Sequence, residues 1–380
     1  MTDETNRKRV FFYVQHLLGI GHLARASRIA HVLADDGFDV TVVTGGTPVP
    51  GFPGAGVRHV ALPAIVSGDA GFSGLTDSDG NPVDDAFKDR RCDLLLSAFR
   101  DAAPDVVIIE AFPFGRRQVR FELLPLLEEI SGMVRKPLVM TSLRDILQER
   151  SKPGRDEETV DLIERYFDAI LVHGDPNFAR LEDTFPLAGR IADKVVYTGL
   201  VAPPPPQAPP VETFDIIVSA GGGAVGNTLI RAALGASRML DPSLTWALVT
   251  GPNLPQPDFD DISGTASDKV SVFRFRPDFA SLLAGARLSV SQAGYNTVCD
   301  VLRAECYPLL IPFAAGGETE QTTRAERLSA LGLAHVLRED AVSADSMAAA
   351  IRSSFASIGK PHALDLEGAR RTAEILRDRL

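Results

Sequence analysis

Cysteine, tryptophan and methionine are all scarce in this 380-residue chain, at three, one and five copies. The cysteines, Cys92, Cys299 and Cys306, lack paired metal-ligand spacing and stand among apolar neighbours. That argues against a disulfide framework or a cysteine zinc site and leaves buried, reduced thiols as the expectation. No apolar run approaches the length needed to cross a bilayer. The opening MTDETNRKR is polar and leads straight into an apolar segment, so no secretory signal is expected and the cytoplasm is the expected compartment. Positive charge is in deficit as well: 39 Lys and Arg against 50 Asp and Glu give a net charge of −11. Nucleic acid is therefore disfavoured as a partner, although a local basic groove can still hold a diphosphate.

What is present reads as an ordinary globular chain, 45% hydrophobic and 23% charged, and longer than one core commonly supports. Short apolar runs suited to buried parallel strands recur at Val10–Val14, Val40–Val43, Val106–Ile109, Leu138–Met140 and Ile170–Val172, with helical patterns between most of them. The tract VAPPPPQAPPV then interrupts regular structure, because consecutive prolines lack N–H donors and favour extended backbone. Beyond it the alternation restarts at Phe214–Ser219, Thr245–Val249, Val270–Phe273, Leu288–Val290 and Leu309–Ile311. The pattern predicts two doubly wound α/β domains of Rossmann-like type, at 1–200 and 212–360, joined by a linker at 201–211. A final helical segment, 361–380, is expected to cross back to the first domain.

Each half opens with glycines at a strand-to-helix junction. Gly19-Ile20-Gly21-His22 follows the first strand, and Gly221-Gly222-Gly223 follows the run IIVSA. Such turns let an anion approach unpaired helix N–H groups, although glycine also serves tight turns and close packing. A third junction carries Gly294, Asn296 and Thr297, which add side-chain donors, and Asp300 one turn later, within reach of a sugar hydroxyl. A loop then delivers Glu320 and Gln321 to the start of another helix, a pair able to bind a polyhydroxylated ligand or simply to cap.

On these residues the chain resembles the two-domain glycosyltransferases of the B fold. It is similar to the family 28 type that adds N-acetylglucosamine to the peptidoglycan lipid intermediate, and to "predicted glycosyltransferase" relatives. The resemblance implies two domains facing across a cleft. It implies a C-terminal domain that binds a nucleotide diphosphate sugar, with uridine the base, an acidic residue at Asp300 holding the ribose, and Glu320-Gln321 reaching the donor sugar. That family usually has Glu where Asp300 stands, which shortens the reach here.

Within that reading the surplus histidine acquires a role. Inverting transfer needs a base to deprotonate the acceptor hydroxyl, and neutral imidazole serves at cytoplasmic pH. His22 is the candidate base and Glu110, ending a strand, the candidate to orient it; His16 competes, and His173 either lines the cleft or braces a strand end. Departure of the diphosphate is expected to need no metal or other cofactor, with N–H groups near Gly294 and Gly221–Gly223 stabilising it. Asp77-Ser78-Asp79 is read as a chance match to the Asp-x-Asp motif of metal-dependent enzymes. A nucleotide-sugar hydrolase, a 2-epimerase and a non-catalytic binding protein remain alternatives on the same fold. The acceptor stays open: a glycan, a lipid-linked sugar or a small molecule, with the membrane surface as a further partner that the charge does not favour. Residues 47–85 are expected to form long loops, and Phe52, Phe72, Arg90, Arg91, Arg116, Arg117 and Arg120 are candidates to line an acceptor site.

Overall fold

A computed structural model describes residues 7–17, 20–67, 74–148, 153–220, 226–251, 253–357 and 361–380. The chain divides into two compact units, 1–201 with 365–380 and 202–364.

The first unit runs β1 (Arg9–Val14), α1 (Gly21–Asp35), β2 (Asp39–Thr44), β3 (Arg58–Ala61), β4 (Val66–Ser67), β5 (Leu75–Thr76), α2 (Asp85–Ala102), β6 (Val106–Glu110), α3 (Arg120–Gly132), β7 (Leu138–Arg144), α4 (Arg155–Tyr166), β8 (Ala169–His173) and β9 (Val195–Tyr197). Seven of these strands form one sheet in the order β3-β2-β1-β6-β7-β8-β9, every adjacent pair parallel. β6 and β8 are buried along their whole length, as strands covered by helices on both faces must be. The order reverses between β1 and β6, and ligands of open α/β sheets bind outside the carboxyl ends of strands at such a point.

The second unit runs β10 (Ile216–Ser219), α5 (Gly226–Ser237), β11 (Trp246–Val249), α6 (Gln256–Thr265), β12 (Val270–Phe273), α7 (Phe279–Gly285), β13 (Leu288–Ser291), α8 (Tyr295–Arg303), β14 (Tyr307–Leu310), α9 (Glu320–Ala330), β15 (His335–Val336) and α10 (Ala344–Phe355). Its parallel sheet has the order β12-β11-β10-β13-β14-β15, with the reversal between β10 and β13. The single tryptophan, Trp246, is buried in this core.

The last helix, α11 (Gly368–Arg379), belongs to the first unit and packs on α1, with Ala369, Thr372, Ala373 and Leu376 buried and Arg377 Nε 3.0 Å from Asp36. Its entry is tightly tied. Leu200 N–H donates to the Asp365 carbonyl (2.7 Å), Gly368 N–H to the Leu200 carbonyl (3.0 Å) and Asp365 N–H to Asp175 Oδ2 (3.0 Å). Two glycines permit this approach: a Cβ on Gly368 would lie 2.4 Å from the Gly199 carbonyl, and one on Gly199, whose φ is +85°, 2.6 Å from the Asp365 carboxyl carbon.

Four expectations need correction. Residues 47–85 hold β3 and the β4–β5 pair as well as loops; β3 is a largely exposed edge strand, so Arg58 and His59 carried no apolar run to announce it. Arg91 lines no acceptor surface, because it is fully buried and its Nε donates to Glu122 at 2.6 Å. Cys92 is half-buried, while Cys299 and Cys306 are buried; all three are free thiols. Helix in the final segment starts only at Gly368.

Candidate functional site

At the reversal in the first sheet, four neighbouring segments converge. His22 sits in the first turn of α1, and Arg25, three residues on, shares its face. Both reach Glu110 Oε1 at the end of β6: His22 Nδ1 at 2.9 Å, and the Arg25 guanidinium in a buried ion pair. Glu110 is in register with Ser142 of β7, so their side chains leave the same face of the sheet, and Ser142 Oγ donates to Glu110 Oε2 at 2.6 Å. On β8, His173 Nε2 lies 2.9 Å from the same Ser142 Oγ, and its Nδ1 lies 2.8 Å from Thr198 Oγ1.

Burial would drive the Glu110 carboxyl upward, but Arg25 and the His22 hydrogen bond outweigh it and hold it down at about 2. His22 is pushed down to about 3 by burial, with the charge of Arg116 adding to it against the opposing pull of Glu110. The ring is therefore neutral at ordinary pH. An ionised carboxylate only accepts, so His22 Nδ1 carries the proton it donates to Glu110 and Nε2 carries a lone pair.

His22 and Arg25 line a cavity of about 290 Å³ together with Phe114, Arg116, Arg144 and Arg155. Its walls are strongly cationic. Arg116 is held in the left-handed region at φ 56°, uncommon for a residue with a side chain, and its Nε is buried without a hydrogen-bond partner among the described residues. Burial and repulsion from Arg144 lower Arg116 to about 10. Arg117 and Arg120 are instead engaged with Glu158, at 2.5 and 2.8 Å. His16 is buried with its Nε2 on the Thr47 carbonyl at 2.9 Å, so the competing base is turned into the loop.

The second unit builds its reversal differently. Gly294 is the N-cap of α8, and Asn296, Thr297 and Asp300 stand half-buried on one face of that helix. Gln321 Oε1 accepts from the N–H groups of Ala293 (3.0 Å) and Phe313 (3.2 Å), while Arg324 Nη1 donates to the Ala293 carbonyl (2.9 Å). Glu320 is buried and pairs with Arg324 at 2.7 Å. Glu320 and Gln321 thus brace the turn that presents Gly294. Gly19 and Gly221, Gly222 and Gly223 lie outside the described residues, as does Phe72. Among the described residues no group of three or more His, Cys, Asp or Glu is placed to hold a metal, and no helix is long and apolar enough to cross a membrane.

Sequence reasoning missed Ser142, Thr198 and Arg25. Ser142 and Thr198 each look like one more small polar residue at a strand end; only the register across β6, β7, β8 and β9 joins them to Glu110. For Arg25 a signal existed, since it stands three residues after His22 on a helix.

Residues 216–374 match the glycosyltransferase family 28 C-terminal domain. The UDP-N-acetylglucosamine–N-acetylmuramyl-(pentapeptide) pyrophosphoryl-undecaprenol N-acetylglucosamine transferase of Agrobacterium fabrum is 27% identical over 48% of this chain and 54% of its own length. The Myxococcus xanthus protein of the same name is 30% identical over 37% of each chain. The chain thus spans about half or less of the length of these curated relatives. Among solved structures, the calicheamicin glycosyltransferase CalG4 superposes with a TM-score of 0.65 over 98% of both chains at 18% identity. MurG of Acinetobacter baumannii does so with a TM-score of 0.64 over 97% of this chain and 99% of its own, at 13% identity. The chain has the B fold of these glycosyltransferases, resembles the peptidoglycan N-acetylglucosaminyltransferases, and carries a family 28 C-terminal domain match in its second half.

Proposed function

We propose that this protein is an inverting, metal-independent glycosyltransferase that moves a hexosyl or N-acetylhexosaminyl group from a nucleotide diphosphate sugar, with UDP as the nucleotide, to an acceptor hydroxyl. The observation that carries the reading is the His22–Glu110 pair at the strand reversal of the first unit, 2.9 Å apart beside the arginine-lined cavity. His22 Nε2 takes the acceptor proton as the hydroxyl oxygen attacks the anomeric carbon. Glu110 stabilises the imidazolium that results, and the sugar–phosphate bond breaks to release the diphosphate. Donor binding falls to the second unit. N–H groups at the start of α8 meet the diphosphate, Asp300 the ribose, and Glu320 and Gln321 hold the Gly294 turn beside the donor sugar. The names of the curated relatives, all UDP-N-acetylglucosamine transferases, support the choice of donor.

An imidazole held near 3 is a weak base at rest. An acceptor whose anionic group rests against Arg116 offsets the charge that helps hold His22 down, and so raises its basicity when substrate is present. The full-length protein incubated with UDP-N-acetylglucosamine, and with other nucleotide sugars, tests the reading. Acceptor-dependent release of UDP with an inverted product supports it. Release into water at equal rate without acceptor favours a hydrolase, and binding without turnover a non-catalytic role.

A further inference from the structure

We infer that Ser142, His173 and Thr198 are positioning residues. They form a buried hydrogen-bond chain of fixed polarity, Thr198 to His173 to Ser142 to Glu110, that holds the carboxylate in the one orientation from which it keeps His22 in its Nδ1–H form. The inference deepens the assignment of His22 as base and rests on it.

Counting protons fixes the direction. Glu110 ionised has none to give, so the single proton of the Ser142 hydroxyl lies on the 2.6 Å contact to Oε2. Ser142 Oγ is then an acceptor on its other side, and His173 Nε2, 2.9 Å away, must carry a hydrogen. Burial keeps His173 neutral, so its Nδ1 is bare and accepts from Thr198 Oγ1 at 2.8 Å. The reverse arrangement has Thr198 donating to the Gly199 carbonyl at 2.9 Å and accepting from His173 Nδ1–H. It sets a lone pair of His173 against a lone pair of Ser142, unless Ser142 turns its proton away from Glu110. Reversal therefore strips Glu110 of a donor in a site where Ser142, His173 and Glu110 are all fully buried. Among the described residues, the charged or titratable groups that act on this chain include Arg25 of α1, Arg116 of the loop after β6, and His22.

The chain also explains a histidine with no surface to serve. A neutral ring that accepts at one nitrogen and donates at the other, locked by a hydroxyl, transmits one orientation between two strand ends. An asparagine or leucine would not span the gap with that polarity.

Ring-nitrogen chemical shifts of the intact protein labelled with 15N-histidine read the tautomers directly and need no substrate. At neutral pH we expect the Nε2–H form for His173 and the Nδ1–H form for His22. Thr198→Val, nearly isosteric, should turn His173 into a tautomer mixture. It should also lower turnover about 10- to 100-fold, the usual loss when an outer partner of an active side chain is removed, with donor KM unchanged. Thr198→Ser should restore both. Ser142→Ala should raise the pH at which Glu110 protonates and carry the acid limb of turnover upward with it. An Nδ1–H tautomer at His173 in the unaltered protein overturns the inference even if every variant misfolds. So does a Thr198→Val protein with the His173 tautomer and turnover both unchanged. Expected tautomers with no transfer from any nucleotide sugar would sink the proposed function and leave the chain of polarity standing.

Discussion

The two strand reversals share a topology and differ in chemistry. In the first unit the carboxyl ends of β1, β6, β7 and β8 carry titratable side chains, His22, Glu110 and His173, locked by Arg25, Ser142 and Thr198. In the second, described side chains beside the end of β13 reach backbone: Gln321 accepts from two N–H groups, and Arg324, paired with Glu320, also holds the Ala293 carbonyl. On the proposed reading the first site moves a proton and the second presents main-chain donors at the start of a helix, which is what an anion requires. On that reading the fold divides labour by where it places its side-chain hydrogen bonds.

The sharpest break of that comparison is at His22. Replacement by Ala should lower turnover by about two to four orders of magnitude while equilibrium donor binding stays nearly constant, since the donor contacts are assigned to the other unit. Steady-state rates beside calorimetric binding of UDP would show it; equal loss in both would mean that the units do not divide the work. Next in size is Arg324→Met, which removes the guanidinium that pairs with buried Glu320. The second unit should lose roughly 3–5 kcal/mol of stability by chemical denaturation, the usual cost of halving a buried ion pair.

Asp300→Ala should act oppositely to His22→Ala, weakening nucleotide-sugar binding by about 1.5–3 kcal/mol with a smaller change in kcat, as loss of a charge-assisted hydrogen bond would. An unchanged donor affinity would remove the ribose role. A further test separates the units by acid. His22 and His173 are held near 3 in the folded chain and return to about 6.5 when it unfolds, so the unfolded state binds more protons between those values. The contribution of these two histidines to the first unit's stability is therefore full above pH 6.5 and is lost as pH falls toward 3. The Glu110 carboxyl adds its share between 4.5 and about 2. This histidine-linked loss belongs to the first unit, where both rings are fully or largely buried. Tryptophan emission from Trp246 beside far-ultraviolet circular dichroism, both followed against pH, would distinguish the units.

Much of this is legible in the sequence. The apolar runs at Val10, Val106, Ile170 and Leu288 became strands because burial on both faces demands unbroken hydrophobicity, and that is a pattern in sequence. The pairing of His22 with Glu110 was legible too, since each stands where a strand ends in an α/β sheet. What escaped was either brief or a matter of register. β3, β9 and β15 are edge strands of four residues or fewer with no fully buried position, too short for a periodic signal, and Ser142 meets His173 only through register. Arg91 looked like a surface cation because nothing in its helix shows that Gln15, Gly45 and Glu122 surround it.

The return of α11 to the first unit sets the order in which the molecule is made. The apolar flank of α1 that holds Ala369, Ala373 and Leu376 emerges from the ribosome early, yet its cover is encoded after residues 202–364. At about 5–20 residues per second that interval is on the order of ten seconds. For that time the nascent first unit carries an uncovered strip beside α1, and a chain stalled or clipped near Leu364 would keep it. Such fragments should be the ones that molecular chaperones retain.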